Sequence, residues 1–190
     1  MIGRPLPLWT PCSVAHQGDR LVVGIAGFCG GWGADAVRYI CSQYPAVHFR
    51  MLLPFSYWCD PYGGTAQAMA DHCRAQLRSE DQLDVEHNFL PEGEMLAWLS
   101  ANHVNCYIRD ASPSMGTSSA LDNALAVRRP IAINRNHMFR YLFDLKPSIC
   151  VEETPLSQIV QNGVAPLIPV YQRNDRAVVR GELEQILLSL

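Results

Sequence analysis

Two stretches of this sequence bring together the backbone and side chains that could hold an anion. In the first, Gly27, Gly30, Gly31 and Gly33 follow the apolar run LVVGIAGF (Leu21 to Phe28) and precede a segment with helical spacing. Glycines in that context let a backbone approach phosphate, because no Cβ shields the amide N–H groups. The run GFCGGWG does not fit the dinucleotide fingerprint G-x-G-x-x-G and lacks the Gly-Lys-Ser/Thr of a P-loop. It reads either as a phosphate-facing turn or as a tight strand-to-helix turn with no ligand. In the second stretch, Asp110 to Gly116 supplies the Asp, Ser, Pro and Gly of turns and helix caps. Thr117 and Ser118 follow where a helix begins. Their hydroxyls can donate to phosphate; equally, Ser114 or Thr117 can simply cap the helix, which stabilises it by about 1 kcal/mol.

Cations that could neutralise such an anion are Arg109, Arg135, His137 and Arg140. Arg135 and His137 follow the apolar run Ile131 to Ile133, on the edge where parallel sheets bind ligands; the alternative is ordinary charge on a solvated loop. Asp60 lies in a long loop with Tyr57, Trp58 and Tyr62, where aromatics beside a carboxylate can stack on a sugar or base, or fold the loop onto the sheet edge. The six histidines have no metal-ligand spacing, and His87 and His103 read as structural or surface residues. No G-x-S-x-G or H-E-x-x-H occurs, and neither metal nor cofactor is expected.

The elements that must position these residues alternate strand and helix. Leu21 to Phe28 is a buried strand, followed by a helix with Ala34, Val37, Ile40 and Cys41 on its apolar side. VHFRMLLPF is a second strand, and Ala66, Met69, Ala70, Cys73 and Leu77 stripe the next helix. LDVEHNF, VNCYIR, the run from Ile131, and PSICV supply further strands. Between the fourth and fifth, Ala120, Leu121, Ala124 and Leu125 mark one apolar helix face, and Pro130 stops that helix. A short helix is expected over His137 to Phe143, and another over LSQIVQNG, capped by Gly163. This pattern predicts an α/β fold: a Rossmann-like parallel sheet of about six strands, order 3-2-1-4-5-6, with helices on both faces. Residues 1–19 read as an irregular lead-in, 20–163 as the Rossmann-like domain, and 164–190 as an extension ending in an amphipathic helix.

The composition narrows the function classes. A chain of 190 residues with 48% hydrophobic and 17% charged residues is globular, with room for one substantial core. A net charge of -3 argues against a nucleic-acid partner, which needs clustered Lys and Arg. No apolar run approaches the roughly twenty residues that span a bilayer. Seven scattered cysteines without a C-x-x-C pair read as buried thiols in a reducing compartment, so a cytoplasmic location is expected.

The stretch FLPEGEMLAWLSANHVNCYIRDASPS, from Phe89 to Ser114, resembles a run in the carboxy-terminal, donor-binding domain of retaining GT-B glycosyltransferases of the group 1 type. There a strand ending in Phe precedes a short helix with an acidic-Leu pair, a strand, and Pro-Ser. MGTSSALDNALAVRRPIAI continues the likeness, resembling the family's E-G-F-G-x-x-x-x-E-A-x-A-x-G-x-P-V with Gly116, Ala124, Ala126 and Pro130 in register. The resemblance covers Arg20 to Gly163. It implies half of a GT-B fold that binds a nucleoside diphosphate sugar, with the acceptor domain absent from this chain, which is then a fragment, a subunit completed by an acceptor-domain protein partner, or a degenerate binder. The diphosphate would sit near Gly27 to Gly31 and Gly116 to Ser118, the ribose near Asp122 or Asn123, and the base near Phe89 and Leu90. Two family glutamates are replaced here by Met115 and Asn123, and an Arg and a Lys of the first loop by Phe28 and Trp32. Asn123 can still hydrogen-bond a ribose, whereas Met115 cannot replace a carboxylate. The alternative is therefore a non-catalytic Rossmann-like binding or interaction protein.

Overall fold

The apolar runs become parallel strands, the last two of them buried throughout. In the computed structural model, which describes residues 5–9, 20–27, 34–57, 60–109, 116 and 118–189, Val22–Ala26 (β1) pairs in parallel with His48–Leu52 (β2). Leu83–Glu86 (β3) joins the far side of β2, while Val104–Tyr107 (β4) pairs with β1 and Ile131–Ile133 (β5) with β4, all in parallel. The five-stranded order is β3-β2-β1-β4-β5. Every residue of β4 and β5 is buried, as expected of parallel strands covered on both faces.

Parallel strands require crossovers, and helices supply them. Ala34–Gln43 (α1) and Gly64–Arg74 (α2) connect the β1-β2-β3 half, and Glu92–Ser100 (α3) returns the chain to β4. Ser119–Ala126 (α4) then connects β4 to β5 and packs on α3. Leu156–Asn162 (α5) packs against α1, on the layer that α1 shares with α2. Chain direction across the sheet reverses between β1 and β4, so their carboxyl ends flank the crevice in which such folds bind ligands.

The expected sixth strand shrinks to one parallel bridge, Cys150 beside Ile133. Ile133 donates to Ile149 at 3.0 Å and accepts from Val151 at 2.9 Å, which continues the order where a sixth strand would lie. The chain turns at once: Cys150 donates to the Ser148 hydroxyl, and its carbonyl accepts from Glu153 and Thr154. Those local bonds leave no extended residues to lengthen the strand. Residues His137–Leu142 form a 3₁₀ segment where a short helix was expected.

Beyond Gly163, whose φ of 61° ends α5, the sequence pattern suggested one terminal helix; two α-helices are present, Ile168–Arg173 (α6) and Arg176–Leu188 (α7). Asp175 caps α7 by accepting from the Ala177 amide at 2.9 Å. Val179 is its buried anchor, while Leu183, Ile186 and Leu187 are exposed.

One polar knot lies inside the core. Asn102 and Asn105 are both 0% exposed, and the Asn102 amide donates to Asn105 Oδ1 at 2.8 Å. Arg50 donates to Asn102 Oδ1 at 2.9 Å and to the Trp98 carbonyl, with its guanidinium over the Trp98 ring. Asn105 in turn donates to the Leu99 carbonyl, which ties α3 to β4. The side-chain amides of Asn102 and Asn105 thereby have partners, as the low-dielectric interior demands.

Candidate functional site

At the carboxyl ends of β1, β2 and β4 lies a cavity of about 340 Å³. Ala26 and Gly27 end β1 there, and Leu52 and Pro54 close the β2 side. Phe89, with Met95 and Leu99 of α3, forms the apolar wall; Arg109, just past β4, supplies a cation. Ser118, Ser119, Ala120 and Asn123 bring the first turns of α4 to the same space, and Met138 completes the lining.

Gly27 turns away from β1 with φ 151° while its amide still donates to the Leu52 carbonyl at 3.2 Å. A side chain at that φ would be strained. At the other wall Ser118 is the N-cap residue of α4, 5% exposed, and its side chain makes no capping hydrogen bond. No acidic residue precedes Asp122 in the first turn. The leading amides of α4 are therefore not met by the cap's own hydroxyl, and their partial positive charge faces the cavity.

Arg109 is fixed through its backbone: its N–H donates to Asn134 Oδ1 at 3.1 Å, and its carbonyl accepts from the Asn134 amide. Burial lowers the Arg109 pKa, opposed by neighbouring Tyr107, yet a guanidinium remains charged at neutral pH. Asn123 donates weakly to the Met95 sulfur at 3.7 Å, a soft partner that a better acceptor could displace. The cavity is thus apolar on the α3 side, and polar and positive on the α4 side. An aromatic or sugar ring suits the first and an anion suits the second.

Of the residues singled out in the sequence, Gly27, Phe89, Arg109, Ser118 and Asn123 line this one space. Leu90 and Asp122 do not; Leu90 packs against the core, and Asp122 is half-buried on α4. Gly116 is exposed, and its carbonyl accepts from Arg140 at 3.2 Å, so that arginine serves the loop and also bonds the His137 carbonyl. Arg135 lies elsewhere, ion-paired with Glu153 and set over the Phe143 ring; neither it nor His137 lines the cavity. Phe28, Gly30, Gly31, Trp32, Gly33, Ser114, Met115 and Thr117 lie outside the described residues.

Met95, Met138, Pro54 and Asn134 were not singled out in the sequence. A polar residue directly after the buried run Ile131 to Ile133 was the available signal for Asn134. The two methionines carry none beyond apolar spacing.

Asp60 has a different task. Its carboxylate accepts from the amides of Thr65 at 3.1 Å and Ala66 at 2.8 Å, capping α2. His103 Nδ1 accepts from the Val22 amide at 2.9 Å, at the amino edge of the sheet, and the His87 ring nitrogen Nδ1 lies 3.0 Å from the Leu53 carbonyl. Among the described residues no group of three or more His, Cys, Asp or Glu could hold a metal ion. No described helix is long and apolar enough to cross a membrane.

No family model and no curated protein matches the sequence. Solved structures do match the fold. The alpha,alpha-trehalose 6-phosphate synthase of Burkholderia multivorans aligns over 90% of this chain and 43% of its own, with TM-score 0.61 and 12% identity. A UDP-forming alpha,alpha-trehalose-phosphate synthase of Burkholderia xenovorans gives 87% and 44%, TM-score 0.61 and 11% identity. The E. coli trehalose-6-phosphate structure bound with UDP-2-fluoro glucose gives 90% and 44%, TM-score 0.59 and 8% identity. The chain therefore spans less than half the length of these proteins and has the fold of one half of a GT-B glycosyltransferase.

Proposed function

We propose that this chain binds a nucleoside diphosphate sugar and acts as the donor half of a glycosyltransferase, completed by an acceptor domain. The observation that carries the reading is the convergence of Gly27, Phe89, Arg109, Ser118 and Asn123 on one cavity at the crevice between β1 and β4. The neighbours lend support: two are UDP-forming or bound to a UDP sugar by their own descriptions. In this reading residues 20–163 form the donor-binding domain, 1–19 a lead-in and 164–190 an extension. The scattered reduced thiols fit a cytoplasmic setting.

Transfer breaks the bond between the anomeric carbon and the diphosphate oxygen, and negative charge grows on that leaving oxygen. The α4 amides and the Arg109 guanidinium, held in a partly apolar cavity, stabilise that charge. Asn123 takes the ribose hydroxyls and Phe89 stacks on the base, with Leu90 behind it. Gly116 and Thr117, with Phe28, Gly30 and Gly31 of the first loop, approach the diphosphate through their backbones. Met115 stands at the sugar, where it offers no charge. Arg135 and His137 would reach phosphate only by leaving their present places.

A second reading, a donor-binding subunit without catalysis, is favoured by a specific pair of facts. By the family resemblance Met115 stands where a carboxylate is expected, and Arg135 is committed to Glu153. Calorimetric titration with UDP, GDP and ADP and their glucose conjugates tests both readings. Binding of at least one, weakened by Asn123→Ala and abolished by Gly116→Asp in folded protein, is expected. Absence of heat and of any thermal shift with all of them would overturn the proposal, whereas binding without sugar release alongside any acceptor half selects the second reading.

A further inference from the structure

Among the described residues, the sulfur atoms at the cavity are thioethers. Met95 and Met138 line it and are half-buried, whereas Met51 in β2 is 2% exposed. The described thiols resist oxidants: burial raises the pKa of Cys41, Cys73, Cys106 and Cys150, so little thiolate exists at neutral pH. A thioether reacts without ionising. Met95 also has a polar neighbour with a second task. The Asn123 amide donates to its sulfur at 3.7 Å, where α3 packs on α4. Leu96 and Leu99 on one helix, and Leu121, Ala124 and Leu125 on the other, are buried and hold both residues in place. A thioether is a weak acceptor, so the amide can still turn to a ligand oxygen.

We propose that Met95 is a peroxide-sensitive modification site, whose oxidation takes Asn123 away from the ligand in the cavity. That this ligand is a nucleotide rests on the reading above. The step is an oxygen transfer. A lone pair of the Met95 sulfur attacks one oxygen of hydrogen peroxide, and the S–O bond forms as the O–O bond breaks. The hydroxide that leaves takes up the proton carried by the transferred oxygen and departs as water. Sulfur loses two electrons, and the peroxide gains them. The product sulfoxide is polar where the thioether was apolar, and its oxygen is a full acceptor. It holds the Asn123 amide in a stronger bond than sulfur does. It also sets a dipole into the wall that Met95 shares with Leu99. Both changes oppose a ribose and a base. Methionine sulfoxide reductases return the sulfoxide to thioether, so the modification is reversible.

The full chain is treated with dilute hydrogen peroxide and then with a thiol reductant, which restores oxidised cysteines and leaves the sulfoxide. Peptide mass spectrometry should find Met95 oxidised well before Met51. The Asn123 side-chain amide resonances should move on oxidation, return after reductase treatment, and stay fixed in Met95→Leu, a swap that conserves volume. Affinity for UDP, GDP or ADP, whichever binds, should fall about fivefold on oxidation of the wild type. The same treatment should leave Met95→Leu and Asn123→Ala each within about twofold of its own untreated value. Met95→Gln, which brings an amide oxygen near Asn123, should bind more weakly than wild type without any oxidant. Met95 oxidised no faster than Met51, or unmoved Asn123 resonances, overturns the proposal. So does an equal loss of affinity in oxidised Met95→Leu, since another sulfur is then responsible. Oxidised Met95 with shifted Asn123 resonances, in a protein that ignores every nucleotide, keeps the modification site and overturns the donor reading.

Discussion

The phenol of Tyr107, buried in β4, donates a 2.9 Å hydrogen bond to the carbonyl of Ala120 in the first turn of α4. A core strand therefore sets the position of the helix end that faces the cavity. Its ring also meets Phe139 edge-on, with centroids 6.3 Å apart. Tyr107→Phe keeps this packing and removes the bond. The expected loss is about 1 kcal/mol in urea unfolding. Nucleotide affinity should fall in the same variant, and affinity equal to wild type would mean that α4 keeps its place without the bond.

Gly24 in β1 has no room for a side chain. A Cβ there would come within 1.9 Å of Asn102 Nδ2 and 2.7 Å of Asn105 Oδ1. Those amides cannot swing aside without giving up Arg50 and each other. Gly24→Ala is expected to cost about 3 kcal/mol or more, combining overpacking with unsatisfied buried polar groups. Chemical denaturation measures it; a change below about 0.5 kcal/mol would show that the knot yields freely.

Asp60 offers a way to separate architecture from chemistry. Asp60→Ala removes both side-chain acceptors at the start of α2 and should cost about 1–2 kcal/mol. Asp60→Asn, which keeps an acceptor, should recover part of this. Affinity for any nucleotide ligand should be the same in both, because Asp60 does not line the cavity. An altered nucleotide affinity in the folded Asn variant would return Asp60 to the site.

Alkaline conditions should unfold the protein. From an ordinary value of 9.0, burial pushes the Cys73 thiol up to about 11 and the Cys106 thiol up to about 12. Below pH 9 both are protonated whether folded or unfolded, and the stability this confers is fully present. Above pH 9 the unfolded chain loses protons that the folded chain keeps, so stability falls as pH rises toward 11 and 12. Burial shifts Tyr107 and Tyr171 in the same direction. Melting temperature measured from pH 7 to 11 should drop beyond pH 9, less steeply in Cys73→Ala. A flat profile would contradict the buried, protonated thiols.

The fold was legible because the buried parallel strands wrote themselves as continuous apolar runs, and the helices between them as stripes such as Ala66, Ala70 and Cys73. The sixth strand was overread: PSICV has the composition of a strand, but Ser148, Glu153 and Thr154 capture the polar groups of Cys150. Composition cannot display such local bonds. Around the cavity, Gly27 and Ser118 were singled out by their placement at crossovers and Asn123 by the family resemblance. Arg135 looked equally promising, since the sequence does not reveal that Glu153, far along the chain, occupies it. Asn134 and Met95 act through contacts made only on folding.

The single bridge at Cys150 also bears on how molecules of this protein meet one another. A sheet rim with unsatisfied N–H and C=O groups invites a foreign strand, and that route leads to fibrils. Here Ile133, in the three-residue outermost strand, has both its amide and its carbonyl occupied by Ile149 and Val151. The opposite rim is four residues long and carries Asp84 and Glu86, whose like charges repel a copy of themselves. Crowded solutions of the folded protein should therefore stay free of strand-exchanged aggregates.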